Sequence, residues 1–431
     1  MKKTHKRTGK ARPEEAVGAE PRLWVQILIG AQMLFVAFGA LVLVPLLTGM
    51  DPNLALLSAG LGTILFHILT GGKVPIFLAS SFAFIAPIMF GIEHYGIAAT
   101  LGGLISIGLV YLVLSILAKL GGANQIRKYL PAIVTGPVIM VIGLKLAPVA
   151  VNMAKSFDGS GTYDGTALLI AAVSLCAAII SVLCGYKIFK LIPILCGVAA
   201  GYLLALILGR VDFSPVHAAP WLCNPWILAL EAGRYAFPVF DLAAILYMLP
   251  VAIAPAIEHV GDILAISQVA GKDFITKPGL HRTLLGDGLA TSLAAVIGGP
   301  PNTTYSEVTG AVALTRAFNP LYMIIAAVFA IALAFIGKLG AILRTIPSPV
   351  MGGVMLLLFG MIASVGLKSL IRDRTDMDKA RNLIIVSLIL VVGIGDLSIA
   401  VGRFQLGGIG LAGILGLILN LIIPEKDAGK A

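Results

Sequence analysis

The sequence predicts an all-α polytopic membrane protein whose 14 transmembrane segments form two inverted seven-span repeats. Three observations predict this fold. First, the 431 residues are 58% hydrophobic and only 12% charged, whereas about a quarter of the residues in soluble domains are charged. Second, apolar stretches long enough to cross a ~30 Å hydrocarbon core recur along the chain. Third, two segments of matching sequence open equivalent stretches in its two halves.

The basic residues predict the orientation of these spans. If the N-terminus is cytoplasmic, 24 of the 31 lysines and arginines lie on the cytoplasmic side, as is typical of membrane proteins. We therefore expect a multi-pass protein of the cell inner membrane with both termini in the cytoplasm. The predicted spans are 24–46, 53–71, 75–91, 95–119, 129–151, 167–186, 188–209, 241–267, 280–298, 302–316, 319–341, 347–368, 381–399 and 405–423.

The spans divide the chain into five parts. Residues 1–23 form a basic cytoplasmic tail that lacks the apolar core of a secretory signal, and residues 424–431 form a second cytoplasmic tail. The first repeat covers 24–209, an extracytoplasmic loop 210–240, and the second, inverted repeat 241–423. The net charge of +10 is dispersed between apolar spans, which indicates membrane topology and excludes nucleic acid as a partner.

Internal similarity supports the two repeats. Residues 131–138 and 347–354 share the pattern PxxVxGxV and open spans five and twelve. Spans three and ten are also equivalent, and both begin with proline followed by Ser, Thr or Asn, at 75–82 and 300–307. Because proline lacks an amide hydrogen and the polar side chains compete for backbone hydrogen bonds, we expect both spans to start extended and become helical afterward. Such paired breaks indicate a transporter site in a protein-enclosed cavity.

Acidic side chains occur next to these predicted breaks. Glu258 and Asp262 lie four residues apart on one face of span eight, and Glu307 opens the half-helix of span ten. A carboxylate at a helix centre costs about 2.5–3.5 kcal/mol on insertion scales, so three of them indicate a polar cavity or a proton site. The alternative is that they cap helices or lie at the interface. Helices beginning near Phe82 and Ser306 would point free N–H groups toward the bilayer centre.

Other polar groups within the spans are interpreted as structural. His259 lies about 100° around the helix from Glu258, so we expect it to pack rather than bind a ligand. Asp287 and Asp396 are expected to pair with lysine or with the backbone. The four cysteines form no CxxC pair, so neither a disulfide framework nor a zinc site is expected.

Several short stretches carry a resemblance to a known family. They are residues 37–40, 43–45, 80–84, 258–261, 278–282, 302–305 and 310–316. In them the chain resembles the nucleobase/ascorbate transporter family, and specifically its bacterial uracil permease branch. The resemblance implies a mobile core domain of spans one to four and eight to eleven, and a gate domain of spans five to seven and twelve to fourteen. It also implies an elevator movement of the core, a homodimer joined through the gate domains, and uracil import by proton symport.

The resemblance also implies a substrate site. Glu258 and Glu307 would form hydrogen bonds with the pyrimidine, and the backbone amides of Phe82 and Ser306 would bind its carbonyl oxygens. Three further residues would line the pocket, namely Tyr305, Ser81 and Ala40. The coupling ion would be a proton, and no cofactor or metal is expected.

The sequence departs from the family pattern at several positions. Asp262 stands where a histidine is usual, so we expect Glu258 and Asp262 to share the coupling proton, with one of them protonated at neutral pH. The other departures bear on substrate identity and are Met33, Ser306, Val308 and Phe359. A purine symporter for xanthine or urate, with the same fold, therefore stays open as an alternative.

Other functional classes are disfavoured. An anion transporter would place its ligand against two glutamates, which would repel it. An intramembrane hydrolase would need a nucleophile with an adjacent base or an HExxH motif, and the chain has neither arrangement. A channel fits inverted repeats with a midplane site less well than alternating access does. The sequence therefore predicts a transporter and not an enzyme.

Overall fold

A computed structural model of the chain describes residues 22–129, 131–184, 186, 189–401 and 404–423. The predicted tails, up to residue 21 and from 424 onward, lie outside the described residues. The elements are α1 (Leu23–Thr48), α2 (Pro52–Thr70), β1 (Leu78–Ser80), α3 (Ile85–Tyr129), α4 (Ala132–Lys155), α5 (Gly165–Cys184), α6 (Pro193–Ile207), α7 (Ser214–Ala218), α8 (Pro225–Glu231), α9 (Leu242–Met248), α10 (Ile253–Ala270), α11 (Leu280–Ile297), β2 (Asn302–Thr304), α12 (Ser306–Thr315), α13 (Leu321–Ala334), α14 (Gly337–Arg344), α15 (Ser348–Arg372), α16 (Ala380–Ile394), β3 (Ser398–Val401), β4 (Phe404–Gly407) and α17 (Gly408–Ile422).

The described chain is a helical, multi-pass membrane protein. Within it, seven helical stretches are long and apolar enough to cross a membrane: Leu23–Thr48, Pro52–Thr70, Phe82–Gly121, Ala132–Lys155, Gly165–Cys184, Leu242–Ala270 and Ser348–Arg372. Four shorter apolar helices accompany them: Pro193–Ile207, Leu321–Ala334, Ala380–Ile394 and Gly408–Ile422. Every predicted span contains at least one helix, while the count of 14 crossings stays a prediction.

Two predicted boundaries are wrong. The connection expected between spans three and four, at 92–94, lies inside the continuous helix α3. Within that element the φ of Gly96 is 78°, a non-helical value that glycine adopts without a steric penalty, two residues beyond the predicted connection. The end of span thirteen at 399 and the start of span fourteen at 405 belong to the antiparallel strands β3 and β4, because the backbone leaves the helix at Asp396 with a φ of 55°.

The helices pack in two groups. The first bundle contains α1–α3 and α9–α13, in which α2 packs against α11 and α13, and α3 packs against α11. The second bundle contains α4–α6 and α15–α17, in which α15 packs against α4, α5 and α6. The loop between α6 and α9 belongs with the first bundle, since the Trp226 indole donates a hydrogen bond to the Ile297 carbonyl at 2.9 Å.

The PxxVxGxV segments open the two helices at the centre of the second bundle. Pro131 precedes α4 and Pro347 precedes α15, both in extended conformation. The helices run antiparallel and very close, since a Cβ on Gly136 would lie 2.8 Å from the carbonyl oxygen of Gly366. Gly352, near the start of α15, likewise abuts Ala154 near the end of α4. This antiparallel crossing is the relation that an inverted repeat requires.

An apolar cluster joins the bundles on one side of the membrane. Leu43 and Val44 of α1 and Ile85 of α3 pack with residues of α4 and α15. The α4 and α15 members are Leu146, Ala150, Met351, Val354, Met355, Leu358 and Phe359. All lie toward the side where α1 ends, which we call the closed side. The opposite side, where α10 and α12 end, we call the open side.

Candidate functional site

Two short strands cross inside the first bundle, at the predicted breaks. Strands β1 and β2 pair antiparallel, with Leu78 opposite Thr304 and Ser80 opposite Asn302. The Ser81 N–H extends this ladder by donating to the Pro301 carbonyl at 2.9 Å. Both strands are fully buried. Each extended segment therefore satisfies the backbone groups of the other, which is how non-helical backbone persists at membrane depth.

A helix begins directly after each strand. Phe82 opens a short 3₁₀ turn that continues into α3, and Ser306 opens α12. Neither start has a side-chain cap, so the first N–H groups are available to a ligand. The Phe82 and Tyr305 rings lie 6.3 Å apart between centroids. The expectation that both spans start extended and turn helical near Phe82 and Ser306 is confirmed.

Carboxyl groups gather at these helix starts. Helix α10 presents Glu258 and Asp262, while Glu307 lies in the first turn of α12. The Glu258 carboxyl is close enough to those of Asp262, Glu307 and Asp287 for their charges to interact. Asp262 and Asp287 are buried, at 4% and 0% exposure, whereas Glu258 is half-buried and Glu307 exposed. The structure thus brings together the three acidic residues singled out from the sequence.

Two of these carboxylates hold strand β2 in place. Asp262 accepts hydrogen bonds from the Thr304 hydroxyl at 2.9 Å and from the Ser306 hydroxyl. Asp287 accepts from the Thr303 hydroxyl at 3.1 Å and from the Thr304 N–H at 3.0 Å. The pairing of Asp287 with backbone was expected. The contact between Ser306 and Asp262 was not, although both residues were noted as departures from the family pattern.

The remaining polar residues behave largely as interpreted. His259 is fully buried, with its Nδ1 3.2 Å from the Thr304 hydroxyl and 3.5 Å from Asp287, so it packs behind β2. Asp396 pairs with Lys145 at 2.5 Å in the second bundle, which confirms the expected lysine partner. Within the described residues, no group of three or more His, Cys, Asp or Glu side chains could hold a metal ion.

Unpartnered hydroxyl groups also face the helix starts. Ser81 is 2% exposed and Tyr305 4% exposed, and neither hydroxyl has a hydrogen-bond partner among the described residues. Buried polar atoms normally have partners, so these two are suited to a polar ligand. Ala40 is fully buried in α1, which packs against β1 and α12. The other departures, Met33, Val308 and Phe359, are buried, at 0%, 0% and 2% exposure.

The site opens toward one side of the membrane. Gly261 follows Glu258 by three residues and Gly310 follows Glu307 by three, so each lies on the same helical face as its acidic residue. Both glycines are exposed, and a Cβ on either would meet nothing within 4 Å. The apolar cluster around Leu43 and Phe359 fills the gap between the bundles on the closed side. Access to the acidic residues is therefore from the open side.

Sequence comparison assigns the chain to a family. Residues 25–401 match the profile of the Permease family. The chain belongs to this family. It is 55% identical over 400 residues to the "Probable uracil permease" of Haemophilus influenzae, with 93% of this chain and 94% of the relative covered. It is 44% identical over 416 residues to the "Uracil permease" of Bacillus subtilis, with 95% of each covered. Since permeases are transporters, the expectation that the chain is not an enzyme is confirmed.

Solved structures share the fold at low sequence identity. The transmembrane domain of the cyanobacterial bicarbonate transporter BicA has a TM-score of 0.63 and 14% identity, covering 93% of this chain and 98% of that one. The murine anion transporter Slc26a9 in the inward-facing state has a TM-score of 0.64 and 11% identity, covering 97% and 73%. At such identities the likeness concerns the fold alone, and it supports a transporter fold.

Proposed function

We propose that this chain imports uracil together with protons by alternating access. The observation that carries the proposal is the crossing of β1 and β2, which sets two uncapped helix starts beside Glu258 and Glu307. The relatives named above, which align over more than 90% of this chain, support uracil as the substrate. We also propose that the termini are cytoplasmic and that the protein is a homodimer joined through the second bundle.

The chemistry of the site suits a pyrimidine. Uracil presents N–H donors and C=O acceptors in alternation around a planar ring. Carboxylates accept hydrogen bonds from N–H groups, and helix N-terminal amides donate to carbonyl oxygens. In our proposal Glu258 and Glu307 accept from the ring, while the amides of Phe82 and Ser306 donate to it. The unpartnered hydroxyls of Ser81 and Tyr305 complete the pocket.

The crowding of carboxyl groups supports proton coupling. Four carboxyls interact in one site, and like charges at such distances do not all ionise at low cost. Asp262 already accepts two hydroxyl hydrogen bonds, whereas no donor among the described residues reaches the Glu258 carboxyl. We propose that Glu258 and Asp262 share the coupling proton, with Glu258 as the group that exchanges it when substrate binds.

The packing of the helices supports alternating access. The first bundle carries the whole candidate site, and in our proposal it is the mobile core domain. The second bundle, with the antiparallel pair α4 and α15, is the gate. Sliding the first bundle would separate Leu43 and Val44 from their partners on α15 and open the closed side. The present arrangement, with Glu307 accessible past Gly310, is then the state that faces the cytoplasm.

Uptake measurements test this proposal. Labelled uracil uptake would be measured in bacterial cells lacking their own uracil carriers, with and without a protonophore, and in competition with pyrimidines and purines. We expect uptake to be abolished by the protonophore and by Glu258→Gln or Glu307→Gln. Glu93→Gln makes the same change at an exposed position of α3 and should leave uptake intact. If xanthine or urate competed more strongly than unlabelled uracil, the proposed substrate would be a purine and not a pyrimidine. If the protonophore did not reduce uptake, proton symport would be excluded.

A further inference from the structure

A groove lies at the open-side end of the first bundle, away from the candidate site. It forms where α2 and α10 end and where α13 begins, and it measures about 580 Å³, a size typical of ligand sites. The residues lining it are Gly72, Lys73, Lys272, Asp273, Phe274, Thr276, Lys277 and Pro320. We call it the basic groove, since three of its side chains are lysines.

The charge of the basic groove is uncompensated. Lys73, Lys272 and Lys277 are exposed and form no ion pair with any described residue. The groove also contains Asp273, whose carboxylate is occupied locally. It accepts the Thr276 hydroxyl at 2.5 Å and the N–H groups of Ile275 and Thr276 at 3.0 and 3.2 Å. These hydrogen bonds lower the pKa of Asp273, so it stays ionised and the groove carries a net charge of about +2 at neutral pH.

The surface next to the groove is apolar and exposed. Ile68, in the last turn of α2, is 70% exposed, and Leu321, which follows Pro320 at the start of α13, is 41% exposed. Helices α2 and α13 pack against each other, so these residues flank the same end of the bundle. Exposed apolar residues within a turn of a charged connection are typical of the boundary between hydrocarbon and headgroups. Lysines at this level extend their charged ends toward the headgroups.

We propose that the basic groove binds the phosphate-bearing headgroup of an anionic phospholipid. Three unpaired ammonium groups would surround the phosphate, and basic residues next to a membrane surface attract anionic lipids. The acyl chains would lie along the apolar surface marked by Ile68 and Leu321. A soluble phosphate compound would use the lysines but gain nothing from that surface, and this favours a lipid as the occupant. The proposal is independent of the transported substrate.

Lipid binding to the purified, delipidated protein tests the proposal. Native mass spectrometry in detergent would count bound lipids during titration with phosphatidylglycerol or with phosphatidylcholine. We expect the parent protein to bind phosphatidylglycerol. The triple variant Lys73→Gln, Lys272→Gln, Lys277→Gln should bind this lipid with an affinity at least fivefold lower. The matched control is the triple variant Lys190→Gln, Lys368→Gln, Arg372→Gln. It removes three exposed charges from the second bundle, on the same predicted side of the membrane as the basic groove. It should keep the binding.

Each other outcome would overturn the proposal. Equal binding of the two lipids would show that the groove has no preference for an anionic headgroup. Equal losses in the two triple variants would reduce the effect to overall charge. Displacement of the lipid by inorganic phosphate or glycerol 3-phosphate at equal concentration would assign the groove to a soluble phosphate. A thermal melt of each variant shows whether it is folded. The proposal would also be contradicted if the single variant Lys73→Glu bound phosphatidylglycerol as well as the parent does.

Discussion

Strands β1 and β2 occupy equivalent places in the two halves of the chain, yet their hydroxyl groups are used in opposite ways. Beside β2, the hydroxyls of Thr303, Thr304 and Ser306 donate to two buried carboxylates. Beside β1, the hydroxyls of Ser80 and Ser81 are buried without a partner among the described residues. The difference suggests that β2 is fixed by the protein's own side chains, while the Ser81 hydroxyl at the end of β1 is available to a ligand.

Removing the acceptor behind β2 should give the largest effect. In Asp287→Leu the Thr303 hydroxyl and the Thr304 N–H, which are both buried, lose their hydrogen-bond acceptor. Each buried group left unpaired lowers the free energy of unfolding by about 1–3 kcal/mol. We expect a fall in stability of about 2–6 kcal/mol, seen as a lower melting temperature in detergent and lost uptake.

Asp396→Asn is the control for that change, because asparagine tolerates the φ of 55° at this position, which leucine would adopt only with strain. Asp396 is also an aspartate in an apolar run, but its side chain is 60% exposed in its pair with Lys145. Exposed pairs contribute about 0–1 kcal/mol, so its melting temperature should stay near that of the parent. Similar losses in the two variants would remove the structural role given to Asp287.

An intermediate effect is expected at the contact between Asp262 and Ser306. Hydrogen bonds to charged groups are worth about 1.5–3 kcal/mol, so Asp262→Asn and Ser306→Ala should each raise the KM for uracil uptake roughly tenfold to a hundredfold. The double variant should be little worse than the more damaging single one, because both changes break one contact. Asp262→Asn should also shift the pH optimum of uptake. Additive effects would mean that Asp262 does not position α12 through Ser306. An unshifted optimum would mean that Asp262 does not share the coupling proton.

The smallest effect is expected at β1. Ser81→Ala removes a hydroxyl that has no protein partner, so the melting temperature should not change, while the KM for uracil should rise about threefold to tenfold, as for one neutral hydrogen bond. Ser80→Ala is the control, since successive side chains along an extended segment point in opposite directions. It should leave the KM unchanged. A lower melting temperature in Ser81→Ala would indicate that its hydroxyl serves the fold, and the contrast with β2 would then be wrong.

The breaks in spans three and ten were predictable because they depend on local chemistry. Proline at 75, 300 and 301, followed by hydroxyl and amide side chains, excludes a helix whatever the rest of the chain does. The convergence of Glu258 with Glu307 followed from the paired breaks and from the family resemblance. These features needed only the residue types and their order along the chain.

The contacts that hold the site together were not predictable in the same way. Asp262 and Ser306 are 44 residues apart, and their contact depends on the packing of α10 against α12. The register of β1 against β2 likewise joins residues more than 200 positions apart. The run from Asn302 to Ser306 has three polar residues before Tyr305 and one after it. Nothing in this run indicates which acceptor each hydroxyl meets.

The pairing of β1 with β2 has a consequence for the alternating-access cycle proposed above. The backbone hydrogen bonds between the strands tie both helix starts together, so the spacing between the Phe82 and Ser306 amides would not change if the bundles shifted as proposed. In the proposed mechanism, a ligand bound there would keep its hydrogen bonds while the first bundle moves. The proposed barrier would then lie in the repacking of Leu43, Val44 and Ile85 against α15, and not in breaking the contacts with the ligand.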